Sequence, residues 1–117
     1  RQENIMPLQE TQNNDLKIIT VTIPRIDAAV AIRFKDAMRA ATETGPNHIV
    51  LDLSNVSFVD SSGLGAIVAS KKQLADGQQL DLAGLTPDVA KVFRLTRMDS
   101  VFEIHADVTD LAPRAAG

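Results

Sequence analysis

Cysteine, tryptophan and tyrosine are missing from the sequence altogether, and the aromatic complement is four Phe. Without a thiol there is no disulfide, no thiolate-held zinc or iron–sulfur cluster and no cysteine nucleophile. Four Phe also give little with which to stack single-stranded bases. Histidine is nearly as scarce, with His48 and His105 far apart along the chain. Charge of one sign is lacking: 12 Lys and Arg against 15 Asp and Glu leave a net of −3, spread out instead of gathered into runs. That distribution offers no electrostatic footprint for a nucleic-acid backbone. No apolar run approaches the roughly 18 residues that a membrane span needs. The first residues show no basic region leading into an apolar one, so neither signal peptide nor anchor is expected, and a cytoplasmic location is. What is present is enough for one packed core: 117 residues, 44% of them hydrophobic, read as one domain that stands on packing alone.

Residues 1–15 form a polar lead-in with an edge strand expected at Ile5 to Gln9; residues 16–112 are the expected domain and 113–117 a tail. Leu16 to Ile23 is rich in β-branched residues and stops at Pro24, the pattern of a strand. From Asp27 to Thr44, Val30, Phe34, Ala37, Met38 and Ala41 recur at spacings of three and four, which predicts an amphipathic helix with Asp27 at its N-cap and Gly45-Pro46 at its end. His48 to Leu53 is nearly all apolar, as a central strand covered on both faces should be. A loop from Ser54 to Val59 then leads to a second helix opened by Asp60-Ser61-Ser62-Gly63, with the stripe Leu64, Ile67, Val68, Lys71, Leu74, Ala75 and a stop at Asp76-Gly77. Gln79 to Ala83 predicts a strand, and Thr86-Pro87-Asp88 the start of a third helix carrying Val89, Val92 and Phe93. A strand at Phe102 to His105 and a short helix from Asp107 to Leu111 complete the pattern. Strands alternating with helices argue for βαβ units and a mainly parallel sheet.

In such a sheet the loops beyond the strand ends carry function, and the one after Leu53 has the unusual content. A carboxylate, Asp60, is followed by two hydroxyls, Ser61 and Ser62, at a helix start. Either Asp60 or Ser61 fits an N-cap, with Gly63 and Gly65 allowing close backbone approach. A serine nucleophile needs a base and an orienting group, and neither His48 nor His105 is placed for it. Gly63-Leu64-Gly65 has the spacing of neither phosphate-binding glycine motif. No catalytic set can be assembled, so the chain is not expected to be an enzyme and calls for no metal or cofactor. A covalent switch does fit. A phosphoryl group adds about −1.5 to −2 charges, which a helix N-terminus receives well and a docked partner does not.

The run His-Ile-Val-Leu-Asp-Leu-Ser-Asn-Val-Ser-Phe-Val-Asp-Ser-Ser-Gly-Leu-Gly-Ala, residues 48–66, resembles the central signature of STAS domains, in particular the bacterial anti-sigma factor antagonists. Asp27 and the segment Pro87 to Phe93 support the resemblance, which extends in order and spacing from Leu16 to Leu111. It implies an α/β fold with a four- to five-stranded mixed, mainly parallel sheet and helices packed mostly on one face. It also implies a partner-switching role in transcription regulation. The unphosphorylated protein would bind an anti-sigma factor that is a serine kinase, phosphorylation would release it, and a metal-dependent serine phosphatase would restore it. Carried onto this chain, the phosphoacceptor is Ser61, with Ser62 the second choice, and the partner-binding residues are Asp27, Asp60, Ser61, Ser62, Gly63 and Leu64. Pro24 departs from the pattern, standing where the family has Gly ahead of Asp27, so the loop there is expected to take its own path. No nucleic-acid or membrane partner is expected, and the state implied is a monomer or weak dimer. The competing readings are a scaffold STAS component of a sensory assembly and a ligand- or lipid-handling STAS domain.

Overall fold

The computed structural model describes residues 8–111. Its main sheet is built from β1 (Leu8–Gln12), β2 (Lys17–Val21), β4 (His48–Asp52), β6 (Gln79–Ala83) and β7 (Ile104–His105), in the order β1-β2-β4-β6-β7. β1 runs antiparallel to β2, and the other neighbours are parallel. A separate parallel pair joins β3 (Arg25–Ile26) to β5 (Phe58–Val59). Three helices, α1 (Ala31–Thr42), α2 (Ser61–Lys72) and α3 (Pro87–Leu95), follow in the crossovers.

Alternation along the strands divides the sheet into two faces. Ile19, Ile49, Leu51, Leu80 and Leu82 pack with Phe34, Met38, Ile67, Val89 and Phe93 of the helices into the main core. The opposite face carries a smaller cluster of Leu16, Val50 and Ala83, covered by Ile18, Val108 and Leu111. The layer of three helices on one face, over a mixed five-stranded sheet, is the architecture expected from the sequence.

Several boundaries differ, each for a local reason. The first strand is Leu8–Gln12; Ile5, Met6 and Pro7 of the expected strand lie outside the described residues. α1 begins at Ala31 and not at Asp27, because Asp27 closes a turn of its own: Oδ1 accepts from Ala29 N at 3.1 Å and its carbonyl from Val30 N at 3.0 Å. Val30 is the N-cap, without a side-chain bond. The 54–59 loop contains β5, and the carbonyl of Pro24 anchors it by accepting from Ser57 N at 2.8 Å and Phe58 N at 3.2 Å. α2 stops at Lys72, so Leu74 and Ala75 lie beyond it; its fully buried residues are Gly63, Ala66, Ile67 and Ser70, while Leu64, Val68 and Leu74 of the expected stripe are partly buried against the core. Small residues there let α2 lie close to its neighbours. The last strand is shortened to Ile104–His105, with Phe102 turned into the core edge-on to Phe93 at 6.1 Å.

Candidate functional site

The chain brings two connections side by side: the one leaving β3 toward α1 and the one leaving β5 into α2. The β3–β5 pairing sets Ile26 beside Val59, so the next residues, Asp27 and Asp60, emerge together. Asp60 is the N-cap of α2, in extended backbone conformation, with Oδ1 accepting from Gly63 N at 2.8 Å. Its other oxygen, Oδ2, accepts from Ala28 N at 3.1 Å. One carboxylate thus satisfies an otherwise unpaired amide of the α2 first turn and one of the Asp27 turn, two donors that a neutral side chain would leave partly open. Asp60 N donates to the Ile26 carbonyl at 3.3 Å and closes the joint.

Ser61 and Ser62 are the first residues of α2, and both are exposed. Gly63 is buried against the Ile26 backbone. Leu64 is half-buried and packs on the main core while keeping part of its surface at the edge. Asp27 sits one residue before the amide that Asp60 holds, with Arg25 Nε 3.4 Å from its Oδ2. The structure therefore gathers Asp27, Asp60, Ser61, Ser62, Gly63 and Leu64 at one end of the molecule. Two neighbours escaped sequence reasoning: Arg25, whose guanidinium lies 4.1 Å from the centre of the Phe58 ring, and Phe58 itself, partly exposed. Arg25 and Phe58 are partners in the β3–β5 register, a pairing with no local signal.

The histidines are elsewhere, on the face of the sheet away from the helices, and both ring Nε2 atoms lie on Asp81 Oδ2, His48 at 2.8 Å and His105 at 3.0 Å. Gln79 Nε2 donates to the other Asp81 oxygen at 2.9 Å. Burial pushes the Asp81 carboxyl up, but the bonds from His105, Gln79 and His48 outweigh it and hold the group below its ordinary value. Both imidazoles are thus committed to a buried carboxylate. Among the described residues, no group of three His, Cys, Asp or Glu is arranged to hold a metal ion.

Sheet, helix layer and exposed helix start define an α/β module that presents a surface. The model of the STAS domain matches residues 7–111, and the chain belongs to the STAS domain family. It is 34% identical to the anti-sigma-B factor antagonist of Listeria monocytogenes over 80 residues, which cover 68% of this chain and 70% of that protein. Its fold is similar to that of an anti-sigma factor antagonist from Mycobacterium paratuberculosis, with a TM-score of 0.79 and 22% identity over 92% of each chain. The Bacillus cell fate determinant SpoIIAA in its phosphorylated form superposes with a TM-score of 0.65 at 19% identity, over 89% of this chain and 95% of that one.

Proposed function

We propose that this protein is an anti-sigma factor antagonist: it docks on an anti-sigma factor serine kinase while Ser61 is unmodified and is released when Ser61 is phosphorylated. The observation that carries the reading is the pair of exposed hydroxyls immediately after a carboxylate whose two oxygens are both occupied. Asp60 holds the joint rigid, so a kinase meets Ser61 on a fixed edge. A phosphate there would crowd negative charge against Asp60 and Asp27, in the middle of the surface that the partner would cover. Support also comes from the name of the Listeria relative. A metal-dependent serine phosphatase would reset the switch, and Ser62 is the second candidate acceptor.

The role is binding and not turnover. Ser61 has no imidazole partner of its own, since both histidines bond Asp81, and a serine hydroxyl without an adjacent base is a weak nucleophile. Among the described residues, no helix is long and apolar enough to cross a membrane. The test is capture from the source cell with the parent chain and with Ser61→Ala, followed by mass spectrometry of the captured kinase and of the bait. Ser61→Ala should retain a serine kinase and carry no phosphate, whereas the parent chain incubated with that kinase and Mg-ATP gains one phosphate, on Ser61. A label on Ser57, Ser70 or Thr86 would overturn the assignment.

A further inference from the structure

The contacting helices α1 and α2 leave between them a groove of about 330 Å³ lined by Lys35, Arg39, Ala69, Ser70, Lys72 and Gln73. Three of these six are cations and none is an acid, in a chain whose net charge is −3. Lys35, Arg39 and Lys72 are all exposed, and among the described residues no carboxylate lies within ion-pair distance of them. The polar groups of the floor are already satisfied: Ser70 Oγ donates to Ala66 O at 2.8 Å, and Gln73 Nε2 donates to Ser70 O at 3.1 Å and Thr42 Oγ1 at 3.3 Å. What remains to be matched is positive charge over a shallow wall. Ser62, Gly65, Ala69 and Lys72 recur at three and four residues and share one face of α2. A Cβ on Gly65 would meet nothing within 4 Å. The α2 wall is therefore low between Ser62 and Lys72.

We infer that this groove receives an acidic segment of a protein partner, so that docking has a charged anchor at the far end of the same edge that carries Ser61. It rests on the reading of the chain as a protein-binding module. Glu43 and Asp76 line the adjoining cleft, which shares Arg39 and Gln73 with the groove. They bound the positive region on that side and would repel an extended phosphate backbone or an anionic bilayer, whereas a short segment with a few carboxylates fits between.

The experiment is a heteronuclear NMR titration of the full chain with a synthetic peptide helix carrying Glu at i, i+3 and i+4, and with its Gln counterpart. Amide shifts should be confined to the groove residues and be lost at high salt. Affinity should drop by about tenfold or more for the Gln peptide and for the Lys35→Glu/Arg39→Glu variant. Reversing the exposed Arg94 and Arg97 should leave it unchanged. The variants change exposed side chains, and circular dichroism checks that they fold. Equal binding of both peptides, shifts centred on α3, or tighter binding to phosphatidylglycerol vesicles or a DNA duplex would overturn the inference. The titration needs no kinase, so failure of the Ser61 capture and failure of the groove are read separately.

Discussion

A Cβ placed on Gly63 would stand 1.9 Å from the backbone carbonyl oxygen of Ile26 and 2.7 Å from its carbonyl carbon. The clash is with backbone, so no rotamer change relieves it, and Ile26 is held by its register with Val59 and its bond from Asp60 N. Gly63→Ala must push α2 off β3 and is expected to cost about 1–3 kcal/mol or more, the range for overpacking a tight contact. Gly65, two residues on, faces open space. There Gly65→Ala should raise stability by about 0.5–1 kcal/mol through helix propensity alone. Urea unfolding of the two variants checks the opposite signs.

Asp60 holds two amides from opposite sides, and an amide side chain cannot do the same. Asn in its place has one acceptor oxygen and one donor nitrogen, so either Gly63 N–H or Ala28 N–H would face another donor. Asp60→Ala loses both bonds and should cost about 0.5–2 kcal/mol for the cap, with the loss of the Ala28 bond added to it. Asp60→Asn should fall between Ala and the parent. Hydrogen exchange at Ala28 is the discriminating readout: it should accelerate in the Ala variant while exchange in β4 and β6 follows global stability only.

The legible parts of this fold are those whose causes are local. Gln79–Ala83 and the Pro87 helix start coincide with the sequence reading because alternation, Pro at the first turn and Asp88 act within a few residues. The helix start at Asp60-Ser61 belongs to the same kind, since a cap is decided by the next three amides; the sequence left Asp60 and Ser61 both open as the cap, and Asp60 is the one that takes it. What escaped depends on pairing across the chain. Asp27 has the chemistry of a helix cap, but Asp60 takes the Ala28 amide and leaves Asp27 a turn of its own. Lys17, the polar residue of its strand, would be placed in water by pattern. It is buried because its ammonium caps the Ala41 and Thr44 carbonyls at the end of α1 and meets Glu10 at 3.4 Å. The bonds of His48 and His105 to Asp81 arise only when β4, β6 and β7 come into register.

Those three side chains give the protein a defined acid response. Burial raises the Asp81 carboxyl, and the bonds from His105, Gln79 and His48 more than reverse that, so its folded-state value lies below the unfolded one. A group lowered in this way adds stability above its unfolded pKa and loses that contribution as pH falls through the folded value. Asp81 should therefore stabilise the parent relative to Asp81→Asn above the ordinary carboxylate range. The difference should then shrink as the pH drops further, below about 4. Urea titrations of both proteins at a series of pH values measure it, and the other carboxylates cancel in the difference. A gap that widened on acidification would contradict the assigned direction.

Ser61 is the first residue of α2, where the helix presents free amides and the positive end of its dipole. Negative charge there is tolerated or stabilising by about 0.3–1 kcal/mol, so Ser61→Asp should keep the fold and its unfolding midpoint should not fall. Partner binding should respond in the opposite sense. If the chain works as proposed, a new carboxylate beside Asp60 would have to be desolvated when the kinase docks, and a mispaired charge at an interface can cost several kcal/mol. Aspartate carries one charge against roughly one and a half to two for phosphate, so the variant should bind more weakly than the parent and more tightly than the phosphorylated chain. Circular dichroism and titration calorimetry separate the two effects. Parent-like affinity in Ser61→Asp would remove charge exclusion as the mechanism of release, and unfolding would show that the start of α2 does not accept charge at this position.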